Sequence, residues 1–144
     1  MSVDRTERVI RAYLDALGSG GDFARFFAPN ASWTTMETGE VVRGREQIRD
    51  LITYLHRVAF DARMEIRTVV AGDDVAVLEA SLVGRHAGAF AGVEPTGREV
   101  SIPYTVVYEL RGEEITALRG YASFASAAQQ LAAPGPQAEP VASA

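Results

Sequence analysis

Cysteine is absent from the 144-residue chain, and so is lysine: all 14 basic residues are arginine. Without thiols there is no disulfide, no thiolate nucleophile, no zinc–thiolate site and no iron–sulfur ligation. Without lysine there is no side-chain Schiff base and no phosphate-loop lysine. Only two histidines occur, His56 and His86, too few for a His-rich metal centre. No glycine fingerprint for phosphate binding precedes a helix, so neither a metal nor a cofactor is expected. No run of about 18 apolar residues exists to span a membrane. The N-terminal MSVDRTERVIRAYL has no long apolar stretch behind a basic region, so it does not read as a secretory signal, and a cytoplasmic location is expected. A net charge of −5 argues against nucleic acid as the partner. What is left is small-molecule chemistry with carboxylates, tyrosines and shape, or binding alone.

The rest of the composition is that of a globular chain, 47% hydrophobic and 23% charged. Val9, Ile10, Tyr13, Leu14 and Leu17 recur at helical spacing, and Gly18-Ser19-Gly20-Gly21 ends that helix. Asp22 is placed to cap a short second helix carrying Phe23, Phe26 and Phe27. Pro29-Asn30 breaks it, and Ser32 to Glu37 suits a strand. A third helix is expected from about Arg45 to Val58, with Ile48, Leu51, Ile52 and Leu55 on one face. Beyond Asp61 the pattern is antiparallel: strands over 64–71, 75–84, 99–110 and 115–124, with turns at Gly72-Asp73-Asp74 and Arg111-Gly112-Glu113. Helices first and a meander afterwards predict an α+β fold, a curved, mainly antiparallel sheet wrapped around three N-terminal helices as a cone-shaped barrel. Residues 1–131 form one domain in this reading. The Ala/Pro-rich segment 132–144 lacks a core pattern and is expected to be disordered.

Four stretches resemble the superfamily of SnoaL-like polyketide cyclases, ketosteroid isomerases and limonene epoxide hydrolases. They are Ala12-Tyr13-Leu14-Asp15-Ala16-Leu17 with the later Phe26-Phe27-Ala28-Pro29-Asn30-Ala31, then Arg43-Gly44-Arg45-Glu46-Gln47-Ile48, the segment from Gly84 to Arg98, and the segment from Glu114 to Tyr121. The third is similar to the SnoaL-like and ester-cyclase branch in particular. The resemblance implies a deep pocket enclosed by bent sheet and helices, and frequent homodimers. It also implies where acids should stand. The essential Asp of such cyclases on the last strand matches Gly120, and a second acidic position matches Ser123. The Arg and Asp that epoxide hydrolases place on a central strand match Glu79 and Ser81. Of the ketosteroid isomerase set, Tyr13 keeps the tyrosine, while Thr35 and Val106 stand at the base and acid positions. The family's usual acid–base set is thus missing.

Strand alternation then nominates the pocket. With Gly120 facing inward, so do Leu118 and Ala122. Glu79 and Ser81 are expected to face the pocket with Val77 and Val83, alongside Tyr104, Val106, Tyr108, Trp33 and Thr35, leaving Leu78, Leu82, Val107 and Tyr121 on an outer apolar face that suits a homodimer. Glu79 would be the one enclosed carboxylate, its pKa raised by burial and able to give or take a proton with Tyr13. A register slip of one residue would instead put Glu79 in solvent. His86, in the most family-like stretch, reads either as a titratable pocket residue or as a structural hydrogen-bond partner at a strand end. His56 reads as a helix-surface residue. The expected activity is ring closure of a hydrophobic, polyketide-like substrate, in a form such as a pericyclic [4+2] closure that needs shape more than proton transfer. The alternatives are an acid–base isomerase, dehydratase or epoxide hydrolase using Glu79 and Tyr13, and a non-catalytic binding or resistance protein.

Overall fold

A computed structural model describes residues 2–132. The amphipathic helix α1 (Ser2–Ser19) buries Val9, Ile10, Tyr13 and Leu14. It stops in a glycine cap: Gly21 N–H donates to Ala16 O and Gly20 N–H to Leu17 O, with Gly20 at φ +78°. That paired 6→1 and 5→2 pattern needs a left-handed residue, which glycine adopts without penalty. A single 3₁₀ turn (Phe23–Phe26) follows, and Asp22 makes no side-chain capping bond to it. The expected second helix is therefore only one turn long, and Phe27 already belongs to strand β1 (Phe27–Thr35). Proline does not break β1 but bends it: the pairing register shifts between Phe27 and Ser32, across Pro29, which has no N–H for the ladder.

Strand β2 (Glu40–Arg43) leads to helix α2 (Arg45–Thr53), which continues as one π turn over Tyr54–Ala59. The expected third helix thus keeps its span but changes its winding after Thr53. Strands β3 (Phe60–Ala71), β4 (Val75–His86), β5 (Glu99–Arg111) and β6 (Glu114–Ala122) form the meander. The last expected strand ends two residues early, and helix α3 (Phe124–Ala132), not foreseen from sequence, follows it. The six strands form one curved sheet in the order β2-β1-β6-β5-β4-β3. Only β1 and β6 run parallel; every other pair is antiparallel. This is the α+β cone expected, with a mixed rather than wholly antiparallel sheet.

The main core joins α1, the 3₁₀ turn and α2 to the sheet's inner face, through Ile10, Tyr13, Phe27, Ile48, Leu78, Tyr108, Ile115 and Leu118. A second cluster holds Ala127 and Leu131 of α3 against Phe60, Leu82, Val100 and Ile102. Of the segment expected to be disordered, Ala132 ends α3 and 133–144 lie outside the described residues.

Candidate functional site

Between these two clusters lies a cavity of about 640 Å³ of empty space, its open mouth included. Four strands of the sheet and three helices build it. Strand β4 supplies Leu78 and Leu82; β5 supplies Ile102, Tyr104, Val106 and Tyr108; β6 supplies Gly120 to Ala122; and β1 supplies Trp33. Tyr13 and Leu17 reach in from α1, Ile52, Leu55 and His56 from α2 and its π turn, and Phe124 from the start of α3.

The inner face of β4 is the one opposite to that expected. Val106 pairs with Leu78, and Tyr104 with Ala80, so the buried row of β4 is Ala76, Leu78, Ala80 and Leu82. Glu79 and Ser81 stand on the outer face, opposite Thr105 and Pro103. Glu79 is exposed and accepts a hydrogen bond from Thr68 Oγ1 at 2.9 Å. Both residues line a shallow outer groove with Arg67, Thr105 and Ser123, not the cavity. The slip has a physical reason: β4 carries valines on one face and leucines with alanines on the other, so hydrophobicity alone does not tell the faces apart. Pairing with β5, whose tyrosines all point inward, decides it. The outer apolar face accordingly loses Leu78 and Leu82 and gains Val77; it retains Val107 and Tyr121, with Val70 of β3 56% exposed beside them.

His86 is also placed elsewhere. It is fully buried at the end of β4 against Phe60 (ring centroids 5.6 Å apart) and does not line the cavity. Its Nδ1 accepts a hydrogen bond from the Thr96 backbone N–H at 3.1 Å and lies 3.0 Å from Thr96 Oγ1. It thereby braces the loop between β4 and β5, which is the structural-partner reading of the two weighed above. Leu118 is buried in the core without lining the cavity. Thr35 is not part of the lining either, but its Oγ1 accepts the indole N–H of Trp33 at 2.9 Å. Tyr13, Trp33, Tyr104, Val106, Tyr108 and Gly120 are brought together as expected.

The polar groups of the cavity are few, and none of the lining residues is Asp or Glu. Three tyrosines cluster there. Tyr13 and Tyr108 meet edge to face with centroids 5.7 Å apart. Burial raises the pKa of Tyr13, Tyr104 and Tyr108 well above the ordinary phenol value; Tyr104 adds to the rise at Tyr13, and both add to it at Tyr108. Each therefore keeps its proton and can donate a hydrogen bond. Unlike the Trp33 indole and the Tyr54 hydroxyl, none of the three hydroxyls is bonded to another described residue. His56 is the residue that the sequence reading left on the surface. Burial first, and then the neighbouring Arg57 charge, push its pKa down to about 4, so the imidazole is neutral at pH 7. Its signal was present in the spacing Ile48–Ile52–His56, every fourth residue along one helical face.

An aromatic and aliphatic hollow set inside the bent sheet of an α+β cone is the kind of cavity in which small-molecule sites are usually built. The chain belongs to the SnoaL-like polyketide cyclase family, whose model matches residues 7–131. Its fold is shared with a candidate SnoaL-like polyketide cyclase from Jannaschia sp. CCS1, at 20% identity and a TM-score of 0.83 over 93% of this chain and 96% of that one. AclR, a candidate hydroxylase from Streptomyces galilaeus, aligns at 17% identity and a TM-score of 0.76 over 90% of this chain and 97% of its own. A protein with a ketosteroid isomerase-like fold from Catenulispora acidiphila DSM 44928, in complex with trimethylamine, aligns at 22% identity and a TM-score of 0.68 over 90% and 95%. At these identities the likeness is one of fold. Among curated protein sequences, none matches this chain. Among the described residues no helix is long and apolar enough to cross a membrane, and no group of three or more His, Asp or Glu could hold a metal ion.

Proposed function

We propose that the chain is a cyclase of natural-product metabolism that closes the ring of a hydrophobic, polyketide-like small molecule by holding it folded in the cavity. The observation that carries this reading is the lining itself: three protonated phenols, a neutral imidazole and no carboxylate. A wall of this kind supplies shape and hydrogen bonds to a carbonyl, while a strong general base is missing. In a [4+2] closure, three π bonds become two σ bonds and one π bond with no proton gained or lost. Phenol O–H groups on a carbonyl conjugated to the reacting alkene draw electron density from it and lower the barrier. Holding the chain in a near-attack shape can contribute up to roughly 7–11 kcal/mol in ideal cases. The acid–base alternative built on Glu79 finds no support in a carboxylate that faces away from the cavity. A protein that only sequesters its ligand is the second reading, favoured by the same lack of a carboxylate. The outer sheet face, with Val70 and Tyr121 exposed, is the surface we assign to a homodimer.

The test is incubation with linear polyene and polyketone chains, followed by mass spectrometry and Trp33 fluorescence. A cyclic product of unchanged mass, formed equally well by Glu79→Gln, supports closure by shape. Quenching of Trp33 without conversion supports sequestration. A product that has lost water, and whose formation stops in Glu79→Gln, overturns both.

A further inference from the structure

The imidazole of His56 has unspent hydrogen-bonding capacity. Its Nδ1 is enclosed by protein and has no hydrogen-bond partner, a combination that Nε2 does not share. The side chain forms part of the wall that the cavity shares, along with Leu17, with an outer recess lined by Gly20, Asp22, Arg49 and Arg57. It stands on the π turn, a winding that inserts an extra residue per turn and recurs at functional sites.

A neutral imidazole carries one proton, on one of its two nitrogens. An N–H buried without an acceptor is among the rarest arrangements in folded proteins, while an acceptor lone pair left unpaired is tolerated more often. That preference favours a bare Nδ1 and a proton on Nε2. None of the residues lining the cavity is Asp or Glu, and Thr35 Oγ1 is engaged by Trp33.

We propose that His56 is a specificity-determining residue of the cavity that donates an Nε2–H hydrogen bond to a carbonyl oxygen of the ligand. Together with Tyr13, Tyr104 and Tyr108 it makes the hollow a set of donors facing a ligand that brings acceptors and an apolar body. A ligand of the same shape without carbonyls would leave those donors unpaired once water is expelled, which is the stronger basis for discrimination. This rests on the cavity being the ligand site, as proposed above.

The experiment compares 1,4-naphthoquinone with naphthalene by calorimetry, on the wild type, His56→Phe and His56→Gln. The absence of cysteine and lysine removes the side chains that quinones most readily arylate. The wild type is expected to prefer the quinone, and His56→Phe to reduce that preference about threefold to tenfold while still binding naphthalene. His56→Gln, which restores an N–H, should recover part of it. Nitrogen-15 NMR of the free protein, with the His56 signals assigned by their loss in His56→Phe, should show Nε2 protonated and Nδ1 bare. A proton found on Nδ1, or a preference untouched in His56→Phe, overturns the proposal and leaves the cavity reading intact. Failure of both probes to bind overturns the cavity reading and this one with it.

Discussion

The six-membered ring of Trp33 occupies the space that a side chain at Gly120 would need. A Cβ on residue 120 would come within 2.6 Å of Trp33 Cη2, and closer still to Cζ2. Trp33 and Gly120 lie on adjacent parallel strands, with Thr35 opposite Gly120, and Thr35 Oγ1 fixes the indole from behind. The last-strand position where the superfamily resemblance leads one to expect an acid is thus filled from the neighbouring strand by an aromatic ring. Gly120→Asp should therefore destabilise the fold by about 1–3 kcal/mol through overpacking, instead of restoring an acid to a waiting site. Trp33→Phe, which removes the fused ring atoms, should relieve it. A double-mutant cycle in urea is expected to give a coupling of about 1 kcal/mol or more.

Glu79 is exposed and bonded to Thr68 across the β3–β4 pair. Glu79→Gln is expected to change stability by no more than about 0.5 kcal/mol, the usual range for an exposed site. Ligand affinity, followed through Trp33 as the single tryptophan, should stay the same.

The phenols of Tyr13, Tyr104 and Tyr108 hold their protons because burial opposes the phenolate; Tyr104 adds to the rise at Tyr13, and both add to it at Tyr108. In an alkaline titration of the folded protein, the ultraviolet phenolate step below about pH 11 should be the same in the wild type and in Tyr→Phe variants at these three positions. Each of those variants should weaken a carbonyl ligand by about 0.5–1.5 kcal/mol.

His56 makes stability depend on acid. Its folded pKa is about 4, against 6.5 for the free side chain, so between those values the unfolded chain binds more protons. Its contribution is fully present above about pH 6.5 and is lost as pH falls toward 4. The loss should be no more than about 2–3 kcal/mol, since the ring is not wholly enclosed. Urea midpoints measured at several pH values in this window should fall less steeply for His56→Phe than for the wild type.

Sequence pattern was sufficient for elements whose two faces differ. Helix α1, with Arg and Asp opposite Ile10 and Leu14, was readable to within two residues at each end. The β5 and β6 inner rows were as well, because Tyr104, Val106 and Tyr108 alternate with Thr105 and Glu109. Strand β4 was not, since Val77 and Val83 match Leu78 and Leu82 in hydrophobicity, and only the pairing with β5 separates them. One residue of register moved the single expected catalytic carboxylate to the outside. Helix α3 was missed because Phe124-Ala125-Ser126-Ala127-Ala128 has short side chains and weak contrast; its burial of Ala127 and Leu131 depends on Phe60 and Leu82, far away in sequence. His56 was missed although the spacing Ile48–Ile52–His56 puts it on the buried face, because a polar ring beside an apolar stripe reads as solvent-facing.

The parallel seam between β1 and β6 has a consequence for how this protein is made. Synthesis delivers Phe27–Thr35 early, yet its partner on that side is not finished until Ala122 has left the ribosome. Until then the side of Trp33 that faces Gly120 is uncovered, and the hairpins formed by β3, β4 and β5 must wait as a half-closed trough with greasy walls. Closure is consequently a late event, coupling the two ends of the polypeptide, and shortening the carboxyl side by a single strand would leave the amino side unzipped as well.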